Sequence, residues 1–221
     1  MRDDTLLDAL ADTTADALIN AGTSRTYGRG NYLFHEGDRA GNVFLVISGM
    51  VKIQTSAADG RASVLGFRRR GTLLGEQSTL DGEPMSASAV ALAPTEAVTI
   101  SSRRFLDLVE GHPDLARALL IQMNRRLRAS SKLINELATA DAVTRVANRL
   151  IDLSGSLGED PGSRVSVSQQ DLADWAGLSR EAVVRSLRTL RDEGLIASGR
   201  MTVSIIDPLG LQRRAFLDPS A

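Results

Sequence analysis

The sequence has 221 residues, 43% hydrophobic and 24% charged, a composition that fits one large or two modest globular domains and argues against disorder along the whole chain. Lys and Arg number 26 against 27 Asp and Glu, a formal charge of −1, so no whole-molecule field draws in DNA, RNA or acidic lipid and any polyanion site must be local. Cysteine is absent, which excludes disulfides, thiolate zinc sites, cysteine nucleophiles and ordinary iron–sulfur ligation in this chain. His35 and His112 stand far apart, so a metal enzyme would need carboxylates for most of its ligands.

Asp3, Asp4 and Asp8 occupy the N-terminus, where a secretory leader would place basic residues before an apolar run. No segment approaches the length of apolar sequence that crosses a bilayer, and the expectation is a cytoplasmic protein with no membrane partner. A short helical opening spans Leu6 to Ala21. From Tyr27 to Ile100 glycines punctuate brief apolar runs such as Val43-Phe44-Leu45-Val46-Ile47 and Ala97-Val98-Thr99-Ile100. Short strands with frequent turns predict an antiparallel roll or barrel, the alternative being glycine-rich irregular loops.

At Ser102 the pattern becomes helical. Ser102–Val109 reads as a short helix, and Pro113 suits the first turn of a much longer one. Leu120, Met123, Leu127, Ile134 and Leu137 follow heptad steps, with Ser130 in the one gap. Such a seam needs a neighbour, and a symmetric second copy is the economical one; packing within the chain is the alternative. After a junction at Thr139 to Asp141 comes a helix carrying Val143, Val146, Leu150 and Leu153, and Ser154 to Ser163 reads as an exposed loop.

Ser168-Gln169-Gln170-Asp171 has capping-box spacing and starts a helix with Leu172, Ala173 and Ala176 inward. Gly177-Leu178-Ser179 makes a three-residue turn into a second helix, Arg180 to Arg191, which completes a helix-turn-helix. Val183, Leu187 and Leu190 share one face of it, and Glu181, Arg185 and Arg188 the opposite one. Four arginines (Arg180, Arg185, Arg188, Arg191) face one glutamate over this segment, a local basic surface in a neutral chain. Arginine bonds guanine O6 and N7 bidentately, and glutamate accepts from cytosine N4, so the helix suits a major groove. A solvated charged helix is the bland alternative. Leu195 to Ile206 follows as a β-hairpin wing with Ser198-Gly199-Arg200 at its tip. Ser168, Gln169, Gln170 and Arg200 are placed to touch phosphates, although Ser168 has a capping duty independent of DNA.

Over roughly residues 15 to 206 the chain resembles the cyclic AMP receptor and fumarate-nitrate regulator (CRP/FNR) superfamily of bacterial transcription regulators. The resemblance is carried by Gly30–Asp38, Phe44–Ile53, Leu74-Gly75-Glu76, Asp171-Leu172-Ala173 and Ser179–Arg185. It implies an α+β architecture: a cyclic-nucleotide-binding-like β-roll (1–109), a long dimerisation helix (110–138) and a winged helix-turn-helix (139–221). It also implies a homodimer on double-stranded DNA, with Ser179, Arg180, Glu181, Arg185 and Arg188 at the base-reading helix and RNA polymerase as a further partner.

For an effector, the resemblance assigns Gly75 and Glu76 to the phosphate–ribose site and Ser130 and Ser131 to the hydroxyl pair that touches adenine across the dimer. Ser86 and Ala87 complete the candidate pocket. Where nucleotide-binding relatives carry Pro-Arg-Ser or Pro-Arg-Thr, this chain has Pro84-Met85-Ser86. Met85 has no donor for a phosphate, which weakens a cyclic AMP assignment and leaves no cofactor certain. A cyclic nucleotide, another small molecule and a vestigial pocket all remain open. Ser130 alone also reads as a register-setting polar residue, and Arg68-Arg69-Arg70 as a solvated strand end rather than an anion site. A ligand-binding regulator whose wing contacts another protein is the alternative function. No catalytic motif in a defined context appears, so an enzyme is not expected.

Overall fold

The computed structural model describes residues 5–56, 62–155, 164–199 and 202–216. Arg200 and residues 156–163 of the expected loop therefore lie outside the described residues. The chain divides into two compact units, Asp4–Leu127 and Arg128–Ala221.

Among the described residues of the first unit a 3-10 turn (Leu7–Ala9) and helix α1 (Asp12–Ile19) precede eight strands: β1 (Thr23–Tyr27), β2 (Tyr32–Phe34), β3 (Asn42–Ser48), β4 (Met50–Ser56), β5 (Ala62–Arg69), β6 (Leu73–Leu74), β7 (Ser88–Ala91) and β8 (Thr95–Ser101). Helix α2 (Glu76–Asp81) interrupts them, and α3 (Ser102–Gly111) and α4 (Pro113–Thr139) follow. The strands form two four-stranded antiparallel sheets, ordered β1-β8-β3-β6 and β2-β7-β4-β5.

Strand β3 explains why its apolar run is continuous rather than alternating. Successive side chains point to opposite faces of a sheet. Val43 and Leu45 enter a core with Leu18, Phe105, Leu108 and Leu115 from the helices. Phe44 and Val46 enter a second core with Leu33, Val51, Ala89 and Ala91. A strand buried on both faces has no polar register to show. The arginine triplet is less solvated than its sequence suggests: Arg68 and Arg69 are half-buried along β5, and Arg70 alone is exposed.

Helix α4 changes character along its length. Leu115, Ala118 and Leu119 are buried in the helix core, whereas Leu120, Leu127 and Ile134 are 61%, 66% and 69% exposed. Within one chain the heptad seam is an open apolar stripe.

The second unit takes up the last turns of α4. It continues with α5 (Ala142–Gly155), β9 (Arg164–Ser166), α6 (Gln169–Ala176), α7 (Arg180–Asp192), β10 (Ile196–Ser198), β11 (Thr202–Ile205) and α8 (Pro208–Phe216). Its strands form an antiparallel sheet in the order β10-β11-β9, so the expected hairpin wing gains a third strand. Asp141 starts α5 by accepting the Thr144 N–H at 2.7 Å. Burial pushes the Asp141 carboxyl up, but the Thr144 N–H and hydroxyl and the Arg214 guanidinium outweigh it and hold its pKa below the ordinary 3.8.

A buried polar cluster fastens this end of α4 to α5. Arg149, itself buried, pairs with the buried Glu136 and with Asp152 at 3.1 Å, and its guanidinium lies 5.0 Å from the centre of the Trp175 ring. Lys132 adds a second cation to Glu136 at 3.5 Å.

Helix α8 lies beyond the predicted wing. Asp207 accepts the Gly210 N–H at 2.8 Å, Pro208 stands in the first turn, where its missing N–H costs nothing, and Leu211 and Ala215 are buried. A Cβ on Gly210 would run into Asp207 Oδ2 and come 2.6 Å from Leu195 Cδ2, so a larger residue there would have to displace the capping carboxylate or the leucine side chain.

Candidate nucleic-acid interface and effector pocket

Ser168 caps α6: its hydroxyl accepts the Asp171 N–H at 3.0 Å and donates to the Asp171 carboxylate at 2.6 Å. The turn into α7 depends on Gly177, whose φ of +63° lies in the left-handed region. Its neighbour Leu178 donates its N–H to Ala173 O at 3.0 Å, which closes α6 and sets the angle at which α7 leaves. Ser179 caps α7 by accepting the Ala182 N–H at 3.2 Å.

With Val183, Leu187 and Leu190 buried, the 3.6-residue period turns Arg180, Glu181, Arg185 and Arg188 outward, and all four are exposed. Glu181 accepts from its own backbone N–H and from the Ser179 hydroxyl. These bonds, with the Arg180 and Arg185 charges, hold its carboxyl below the ordinary range despite some desolvation, so it is an acceptor at neutral pH. Arg188 meets Asp192 at 3.7 Å, both side chains well exposed; such a surface pair is worth at most about 1 kcal/mol and yields readily to a phosphate. Gln169 is exposed at the start of α6, and Gln170 donates to Asp174 at 2.7 Å. Ser168, Gln169, Gln170, Ser179, Arg180, Glu181, Arg185 and Arg188 thus gather on α6, α7 and their caps.

In the first unit Gly75 begins α2 in a left-handed conformation, φ +78°. The next residue, Glu76, is 2% exposed, and its carboxylate is ion-paired with Arg126 of α4, whose side chain is 24% exposed. Arg126 also donates to Leu73 O at 3.3 Å. The sequence reading missed Arg126. The available signal was an arginine four residues before Ser130 in the same helix.

Met85 is buried. Its N–H donates to Asp38 O and its carbonyl accepts from Gly37 N, each at 2.8 Å. Its methyl lies 3.0 Å from where a Cβ on Gly75 would stand, so an apolar thioether covers the glycine at the start of α2. Ala87 is buried and Ser86 exposed. The Glu76 carboxylate is thus taken up by Arg126, and position 85 offers a phosphate no side-chain donor. Ser130 and Ser131 are exposed on α4, in the second unit.

An outward arginine helix held by a helix-turn-helix and flanked by a three-stranded wing defines a DNA-binding transcription regulator of the winged-helix class. The sequence matches the cyclic nucleotide-binding domain over residues 24–112 and the Crp-like helix-turn-helix domain over residues 144–214. It is 32% identical to the cyclic AMP receptor protein of Thermus thermophilus over 98% of this chain and 99% of that one. It is 31% identical to the CRP-like cAMP-activated global transcriptional regulator of Mycobacterium tuberculosis over 85% of each. Among solved structures, the c-di-GMP-responsive global regulator CLP of Xanthomonas campestris superposes with a TM-score of 0.75 at 28% identity, covering 89% of this chain and 99% of that one. The chain belongs to the CRP/FNR family of transcription regulators.

Proposed function

We propose that two copies of this chain pair along the open stripe of α4 and read a near-palindromic DNA site, each inserting α7 into the major groove. In this reading residues 1–109 serve as the effector module, 110–138 as the dimerisation helix and 139–221 as the DNA module, in a cytoplasmic protein that acts on RNA polymerase. The observation that carries it is the division of α7 into a buried Val183/Leu187/Leu190 face and an exposed Arg180/Glu181/Arg185/Arg188 face. Arg180 and Arg185 are assigned to guanine, Glu181 to a base amino group, and Arg188, Ser179, Ser168, Gln169, Gln170 and Arg200 to phosphate contacts and orientation. The two half-sites then fall about 34 Å apart, one helical turn.

The effector assignment follows from Glu76 and Met85. A nucleotide recognised through its sugar can use the Glu76–Arg126 pair with Gly75, Ser86 and Ala87, while Ser130 and Ser131 keep the role the resemblance gives them, contacts made across the dimer from the second copy. A cyclic phosphate finds no arginine at 85, a loss of about 2–4 kcal/mol, roughly 30- to 1,000-fold in affinity. Cyclic AMP and cyclic GMP are therefore weak ligands here, and calorimetry with both tests this.

Fluorescence anisotropy on pooled and selected duplexes tests the DNA reading. Sequence-selective binding that weakens steeply with salt is expected. Equal, weak attachment to every duplex by a folded dimer, or none at low salt, would favour a wing that contacts another protein.

A further inference from the structure

One outward residue of α7 is not explained by charge. Val184 is 44% exposed, and no other large hydrophobic residue described on this helix is exposed. It stands one turn after Arg180 and one turn before Arg188, the i±4 spacing that makes helix residues neighbours on the surface. The helix repeat of about 100° per residue places it between Arg180 and Arg188, inside the arc that also holds Glu181 and Arg185, and beside rather than within the buried stripe of Val183, Leu187 and Leu190. A β-branched side chain is a poorer helix former than alanine, and here nearly half of it stays exposed in its own chain.

An apolar branched group ringed by arginines has one complementary feature on the edges of base pairs in the major groove, the C5-methyl of thymine. We infer that Val184 is a specificity-determining residue that packs on a thymine methyl in each half-site. The inference rests on the DNA reading proposed above. Four residues of helix advance about 6 Å and successive bases on a strand are about 3.4 Å apart, so this thymine lies within one or two base pairs of the guanine read by Arg180. Arginine and glutamate supply hydrogen-bond complementarity at their own positions; Val184 supplies preference by shape and desolvation, without a hydrogen bond.

The test separates the methyl from every other property of the base. After the preferred site of the wild-type protein is selected from random duplexes, each thymine in turn is replaced by deoxyuridine, which removes only the C5-methyl, and affinities are measured for wild type and Val184→Ala. Alanine favours the helix, so the variant retains its fold. The expected result is one symmetric pair of thymines whose replacement weakens wild-type binding about fourfold per half-site, the worth of one buried methyl, about 0.8 kcal/mol. Replacing both should cost about 15-fold, and V184A should be indifferent to the same change. A flat deoxyuridine scan, or a loss of equal size in V184A, would overturn the assignment while leaving sequence-selective binding intact. Unchanged affinity of V184A for every duplex would point to a protein partner for this side chain instead. Selection that yields no preferred site with wild type would remove the DNA reading itself, and this inference with it.

Discussion

The Glu76–Arg126 pair makes a quantitative prediction about what holds α4 to the β-roll. Replacing Arg126 with Met keeps the aliphatic stem and removes the charge, which leaves the 2% exposed Glu76 carboxylate without its cation. Breaking a buried pair from one side costs about 3–5 kcal/mol. Arg126 is 24% exposed and water can partly replace it, so the lower end, about 3 kcal/mol, is expected. With a urea m-value of about 2 kcal/mol/M, the unfolding midpoint falls by roughly 1.5 M. Adding Glu76→Gln to that variant removes the orphaned charge and should restore much of the loss, because the penalty is chiefly the unpaired carboxylate. The assay is urea unfolding of the wild type, both single variants and the double variant at one protein concentration, since pairing of copies would couple stability to concentration. A loss below about 0.5 kcal/mol for R126M, or a double variant as unstable as the sum of the singles, would refute the claim that this pair fastens α4.

Arg180→Ala or Arg185→Ala should each cost about 1–3 kcal/mol at the selected site and relax the preference at one base pair, measured by competition anisotropy; unchanged preference rejects the contact. Met85→Arg buries a guanidinium beside Gly75 and should lower the melting temperature of the ligand-free protein, while cyclic AMP or cyclic GMP should raise it more than in the wild type. No ligand-dependent shift in a folded variant would place the pocket's deficit elsewhere. Leu120→Asp with Ile134→Asp puts charges into the open stripe, and sedimentation should show a dimer for the wild type and a monomer for the variant. Asp141→Ala removes the α5 cap at a cost of about 1 kcal/mol near neutrality. Because the folded-state pKa of Asp141 is depressed, its contribution is present above the ordinary 3.8 and vanishes as pH falls through the lower folded value. Wild type and D141A should therefore converge in stability only in strong acid.

The second unit was the more legible in sequence. Ser168, Gly177 and Ser179 are local signals, each doing within a few residues what its chemistry dictates, and Val183, Leu187 and Leu190 expose the helix period directly. The β-roll was readable as short strands, but the pairing of β3 with β8 and β6 joins segments far apart in sequence, which no local pattern encodes. Arg126 escaped for the same reason: its partner Glu76 lies 50 residues away, and on the helix it reads as one more surface cation. Met85 was legible as a missing donor, whereas its position over Gly75 required the fold. Helix α8 was hidden because Pro208 and Gly210 look like turn residues until the Asp207 cap shows that both stand in the first turn of a helix.

Guanine methylation interference on the selected duplex tests the central claim most directly, because N7 methylation blocks the acceptor that an arginine fork requires. Groove reading by α7 from two copies predicts two symmetric sets of guanines about one helical turn apart whose methylation abolishes binding, with one guanine of each set losing its effect in Arg180→Ala or Arg185→Ala. Binding that ignores N7 methylation, or an interference pattern identical in wild type and both variants, would contradict it.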